Sequence, residues 1–458
     1  MGMISSSPGR SMNVRSLVLA AALSLSTACT AHRQLRLSTV PVDVTAPLSD
    51  PRARAAVATS SIERYPGYTI AVIEFDDQGR FWDRRQVAAL EAEMTREAGL
   101  PDESAVSTIV FVHGWRDDAR VCDKALVAFR EFVRRIATDD LGKLPGRHPL
   151  IGVFLAWRGY SSYVWPLEFF SFVGRKYTAA RIGSGDVPEL LAYLDSFRRE
   201  LNASRKEPSR LMVIGHSLGG SIVFEALANI YKARLREAWP GPDVNGKSGI
   251  VSGFGDLVLL VNPAFEAERW HSIHELTTSY VSFSKNQKPL LVVASSETDF
   301  PIGRYFPIAQ RFGSMFQKTR DREQRRALNT SIGHYEPFVT HHLRRGDLPL
   351  DDRSEVPSDF DITNCVAKMP QIPPAANLGA LFEKRPVDQS KRDEGWGGEP
   401  CVAERHLGPL LLTCGPNVQR GNPFWVVRVA PNVLHQHNGF FNPYFLVFAR
   451  DLVLGSLQ

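Results

Sequence analysis

A mostly parallel β-sheet covered on both faces by helices is the fold class this chain predicts, and three observations predict it. Short β-rich runs alternate with helical stretches of ten or more residues from Tyr68 to Ser295, the rhythm of strand–helix–strand units. Several of those runs show no polar alternation, as strands buried on both faces do; L-M-V-I at Leu211 to Ile214 is apolar throughout, and S-T-I-V-F-V-H at Ser107 to His113 is a nearly unbroken β-branched run. Third, Arg210 to Gly220 reads R-L-M-V-I-G-H-S-L-G-G, so an apolar run turns within a few residues into a helix whose Val223, Phe224, Leu227 and Ile230 recur at helical spacing.

The totals fit one large domain or two medium ones: 458 residues, 43% hydrophobic and 22% charged. Lys and Arg (54) exceed Asp and Glu (49) by only 5, and no basic stripe is interleaved with aromatics, so no nucleic-acid partner is expected. Residues 1–28 read as a signal peptide. Arg10 and Arg15 precede Leu17 to Ala28, an apolar run too short to span a bilayer. Ser26, Thr27 and Ala28 then lead to Cys29, similar to the processing box of bacterial lipoproteins, which implies a lipidated Cys29, a membrane anchor and a place in the cell envelope. A plain secretory signal is the alternative.

Residues 29–67 are polar and aperiodic and read as a spacer; the folded domain is expected over 68–458. Its expected strands are Tyr68 to Phe75, Val106 to His113, Leu150 to Trp157, Leu211 to Ile214, Asp256 to Val261, Pro289 to Ser295 and Phe424 to Val429. Helices are expected near Gln86 to Ala98, Val121 to Ala137, Val187 to Leu201, Ser221 to Tyr231, Glu266 to Leu276, Gln317 to Leu328 and Asn442 to Leu454. No strand is expected between Arg304 and Pro423. A structureless loop of that length is improbable, so 347–422 reads as an insertion before the last strand. Cys122, Cys365, Cys401 and Cys414 remain besides Cys29. Four cysteines allow two disulfides in an exported chain, and Cys401 with Cys414 is the expected bridge. No cysteine or histidine spacing suggests a metal.

Gly215-His216-Ser217-Leu218-Gly219 at the strand-to-helix turn is a G-x-S-x-G elbow in the context that motif needs. Glycine at both ends lets strand and helix approach closely, and Ser217 stands at a helix N-terminus that favours negative charge. Here the chain resembles the α/β-hydrolase superfamily, its lipases and esterases in particular, over about Tyr68 to Ile302 and Phe424 to Leu454. The resemblance implies an α/β-hydrolase fold and a Ser–acid–His order along the chain. Ser217 is then the nucleophile, and it needs a base oriented by a carboxylate.

Asp299 follows the Pro289 to Ser295 strand and is the expected acid, with Glu297 as the alternative. His437 follows the last strand, in the loop H-Q-H-N-G, and is the expected base; His334 and His435 are the alternatives. F-V-H-G-W at Phe111 to Trp115 resembles the His-Gly oxyanion motif of lipases, which makes the N–H groups of Trp115 and Leu218 the expected oxyanion donors. The aromatic run Tyr160 to Phe172 reads either as packing or as an acyl pocket or lid.

These readings lead to an esterase- or lipase-like serine hydrolase for a small-molecule or lipid ester, working through an acyl-enzyme and needing no cofactor. An acyltransferase with the same triad and a non-catalytic envelope lipoprotein are the rivals. Transfer to an added acceptor would separate the first, and failure to react with a serine-directed probe the second.

Overall fold

A computed structural model describes residues 32–456 apart from 46–49, 100–104, 142–147, 161–166, 239–249, 280–282, 285–286, 300–302, 304–305, 315–316, 347–404, 408 and 420. The leader and Cys29 lie outside the described residues. The elements run β1 (Val42–Asp43), α1 (Pro51–Thr59), β2 (Ile62–Tyr65), β3 (Tyr68–Glu74), α2 (Arg84–Ala98), β4 (Ser107–Val112), α3 (Lys124–Arg135) and β5 (Leu150–Ala156). They continue through α4 (Leu167–Ser184), α5 (Val187–Ser204), β6 (Leu211–His216), α6 (Leu218–Glu237), β7 (Leu257–Val261), α7 (Ala267–Ser279) and β8 (Leu291–Ser296). Then come α8 (Phe306–Gly313), α9 (Arg322–Leu328), β9 (His341–Arg345), β10 (Arg405–Leu407), β11 (Leu410–Cys414), β12 (Phe424–Val429) and α10 (Pro443–Ser456).

All the strands join one sheet in the order β1-β2-β3-β5-β4-β6-β7-β8-β12-β9-β11-β10. From β3 to β12 every pairing is parallel. β4 is followed on one side by β5 and on the other by β6, so the strand order reverses between β4 and β6. The crevice outside the carboxyl ends of the strands at such a reversal is where open α/β sheets place their ligands.

The period-two alternation of the strands divides the interior into two cores. Val110, Val112 and Val213 face α2, α5, α6 and α7 through Leu90, Leu191, Ile222 and Trp270. Ile109, Phe111 and Ile214 face α3 and α10 through Phe129 and Phe445. Both faces are covered, which is why β4 to β8 carry apolar residues on both faces instead of alternating with charged ones.

The sheet departs from expectation at both edges. Residues 35–45 and 50–65, expected as part of a spacer, are packed on the domain. Arg36 is fully buried, donating to the carbonyls of Ala119, Val57 and Ser60 and pairing with Glu63 at 3.2 Å. Glu63 also takes two hydrogen bonds of 2.7 Å from Arg130 of α3. Burial alone would raise the Glu63 carboxyl, but the charge and hydrogen bonds of Arg130 outweigh it and hold it below its ordinary value. A fold built on a buried ion cluster carries no hydrophobic period, so the segment read as polar coil.

At the other edge, the stretch expected to hold no strand contributes β9, β10 and β11. β9 lies parallel to β12, and β11 runs antiparallel to β9. Its exposed positions carry Arg344 and its buried ones His341 and Leu343, so charge conceals the alternation. Residues 347–404, most of the expected insertion, lie outside the described residues. Cys122 and Cys414 are each engaged in a disulfide; Cys401, the partner expected for Cys414, lies outside the described residues. A further difference is α4, which starts within the aromatic run and was not expected as a helix. Among the described residues no helix is long and apolar enough to cross a membrane.

Candidate active site

The elbow is built from steric necessity. A Cβ on Gly215 would come 2.7 Å from Cα of Gly220, and one on Gly219 would come 2.5 Å from the carbonyl of His113; neither backbone can yield to it. Between them Ser217 adopts φ 55°, ψ −120°, a conformation that costs a non-glycine residue on the order of 1–3 kcal/mol. It is held there by its own backbone, since Ser217 N donates to Val261 at 2.9 Å and Ala264 N donates to the Ser217 carbonyl at 3.0 Å.

Three side chains expected to act together meet in one line. Ser217 Oγ lies 2.8 Å from His437 Nε2, and His437 Nδ1 lies 2.8 Å from Asp299 Oδ2. An ionised carboxylate only accepts, so the Nδ1–H of His437 donates to Asp299, which leaves Nε2 free to accept from the serine hydroxyl. Asp299 is 2% exposed. Ser217 is 0% exposed. The alternatives lie elsewhere: Glu297 and His435 are exposed, and His334 has its Nδ1 3.1 Å from Ser331 Oγ.

The His437 loop is tied to three strand ends, an arrangement the sequence reading missed. His216 Nε2 and Asn262 Nδ2 each lie 2.9 Å from the carbonyl oxygen of His437. Asn262 also donates to the carbonyl of Gln436 at 3.1 Å and accepts from Ser296 N at 2.8 Å. Ser296 Oγ donates to the carbonyl of Leu434 at 2.6 Å. The loop needs such ties because Gln436, beside His437, has φ 52°. Burial pushes His216 down to about 4, aided by the neighbouring His437. His216 is therefore neutral near pH 7 and donates its single N–H to that carbonyl. The only signal available in the sequence was position: His216 and Asn262 stand at the carboxyl ends of adjacent strands.

The loop after β4 has a comparable internal logic. His113 is fully buried, and burial lowers it to about 4. Its Nε2 accepts from Trp157 N at 3.0 Å, so Nδ1 carries the proton and donates to the Gly114 carbonyl at 2.9 Å. In a trans peptide the C=O and the following N–H point oppositely. Tying Gly114 O to His113 therefore turns Trp115 N–H the other way. Gly114 itself packs on Ser217, since a Cβ there would come 2.8 Å from Ser217 Cβ. Leu218 opens α6 directly after Ser217. Trp115 packs against Tyr160 and Phe172 with ring centroids 5.7 and 5.4 Å apart, so the described ends of the aromatic run border this loop. No group of three or more potential metal ligands occurs among the described residues.

No family model and no curated protein matches this chain. Among solved structures it is similar to phospholipase PlaB from Legionella pneumophila, at 12% identity and a TM-score of 0.24, over 54% of this chain and 48% of that one. The same phospholipase in complex with thio-NAD matches at 14% identity and a TM-score of 0.21, over 53% of this chain and 46% of that one. The chain thus spans about half the length of the structures it matches, and it has an α/β architecture, mostly parallel, with helices on both faces of the sheet.

Proposed function

We propose that the chain is a serine hydrolase that cleaves carboxylic esters. The observation that carries this reading is the continuous line from Ser217 Oγ through both ring nitrogens of His437 to Asp299. In the proposed reaction His437 Nε2 takes the hydroxyl proton as Ser217 Oγ attacks the ester carbonyl. Asp299 holds the tautomer and stabilises the imidazolium. The tetrahedral oxyanion is met by the N–H groups of Leu218 and Trp115, and each such donor is typically worth about 2.7–4 kcal/mol of barrier. His437 then returns the proton to the leaving alcohol, and water repeats the sequence on the acyl-enzyme.

The test is covalent labelling by a fluorophosphonate together with hydrolysis of a short-chain ester. Both should be present in the native protein and absent in Ser217→Ala. Labelling that persists in that variant would sink the assignment.

For location, a lipid-tethered envelope protein is the proposal that Arg10, Arg15 and Cys29 support, and the disulfide-bonded state of Cys122 and Cys414 is in keeping with an oxidising compartment. Incorporation of labelled palmitate that disappears in Cys29→Ser is the expected result; a labelled variant would argue against lipidation there.

A further inference from the structure

Beside the Asp299 loop is a cavity of about 750 Å³ lined by Arg311 of α8, Arg322, Arg325 and Arg326 of α9, Thr330 and His334. No carboxylate is among its described lining residues. Arg325 is committed to structure, donating to the carbonyls of Ser314 and Gln317. Arg326 lies over the ring of Tyr335, 5.9 Å from its centroid. Arg311 and Arg322 have neither ion pair nor hydrogen bond among the described residues. The neighbouring acids are engaged elsewhere: Asp321 takes Gln324 N and Arg320, and Glu336 pairs with Arg428.

The cavity is anchored to the candidate active site. Gly303, on its wall, donates its N–H to the Asp299 carbonyl at 2.8 Å. His334, on the same wall, follows Ile332, whose N–H donates to Phe265 just beyond β7. The cavity therefore opens on the carboxyl side of β7 and β8, the side that carries Asp299. Four like charges facing one space repel each other while it holds only water. Guanidinium forks match the paired oxygens of a phosphate, and several of them exceed what a single carboxylate could satisfy.

We propose that this cavity binds a phosphate group, supplied either by the head of the ester processed at Ser217 or by free phosphate. The first source depends on the hydrolase reading; the binding itself does not.

The experiment is calorimetric titration with inorganic phosphate and with glycerol 3-phosphate at low ionic strength, on the native protein and on Ser217→Ala. Saturable binding to both is expected. It should weaken about tenfold for each arginine removed in Arg311→Ala and Arg311→Ala/Arg322→Ala, as loss of a charge-assisted contact does, and it should weaken with added salt. Both side chains are exposed, so the variants should fold, which their thermal transitions would verify. A rise in KM for a phosphate-bearing ester, but not for a neutral ester of the same acyl chain, assigns the cavity to the substrate head. Lost phosphate binding with both KM values unchanged assigns it to free phosphate. Absence of saturable binding, or binding untouched in the double variant, overturns the proposal. Because binding is read in Ser217→Ala as well, failure of ester hydrolysis would leave the measurement intact.

Discussion

Asn262 Nδ2 lies 2.9 Å from the carbonyl oxygen of His437, a residue 175 positions away in the chain, and His216 Nε2 reaches the same oxygen at 2.9 Å. His437, the proposed base, is thus held through its backbone by two side chains, while its ring nitrogens face Ser217 and Asp299. Asn262→Ala should lower kcat of ester hydrolysis by roughly 10- to 100-fold with little change in KM, because misplacing a catalytic group by about 1 Å costs on that order. A merely destabilised protein would lose active fraction and titrate fewer sites with a fluorophosphonate. An unchanged kcat per labelled site would refute the positioning role.

Glu63 is enclosed by Arg36 and Arg130. Glu63→Gln removes the charge that both guanidiniums face and should cost roughly 3–5 kcal/mol of stability, the usual penalty for breaking a buried ion cluster from one side. Denaturant unfolding would measure it. A loss under about 1 kcal/mol would mean that the segment before β3 is not integral to the domain.

Two glycines should respond in opposite directions. Gly219→Ala pushes a methyl group into the backbone at the end of β4 and should cost about 3 kcal/mol or more, or prevent folding. Gly174 is exposed within α4, and a Cβ there would meet nothing within 4 Å. Gly174→Ala should raise stability by about 0.5–1 kcal/mol. Thermal unfolding of the pair tests both.

His341 is 4% exposed, stacks on Trp425 and shares a hydrogen bond with Thr340 Oγ1. Burial, then the neighbouring His342, lowers it to about 3. Its folded value lies below the unfolded one of about 6.5, so the unfolded chain takes the proton first as pH falls. The contribution is complete above pH 6.5 and is lost down towards about 3, with a slope of up to about 1.4 kcal/mol per pH unit. Asp123, pushed up to about 7 by burial and then by Asp118, contributes a slope of opposite sign in the same range. The readout is therefore the difference between variants. His341→Gln should lose less stability than the native protein between pH 6.5 and 4, and parallel curves would contradict the prediction.

Much of the fold was legible because its signals are local. The β-branched run of β4, the elbow around Ser217 and the helical spacing of α6 each lie within a dozen residues, and the sheet follows once they alternate. His437 was legible through its neighbours, since a buried strand precedes it and a helix follows. The clamp on its carbonyl was not, because Asn262 belongs to a different strand and makes its contact only in three dimensions. The edges were illegible for a related reason. β9 hides its alternation under arginines, and the segment carrying Arg36 is held by a buried ion cluster together with scattered apolar residues such as Val44, Val57 and Ile62, which show no sustained period.

Ser217 and His437 are separated by 220 residues of chain, and the strand leading to the base joins the sheet only through β8 and β9. Contacts between such distant parts form slowly, because loop closure must precede any reward from the contact. A refolding chain should accordingly regain its helical signal well before its serine becomes reactive. On the proposed hydrolase reading, partly folded forms would be chemically silent, so an immature copy could not attack esters in its surroundings.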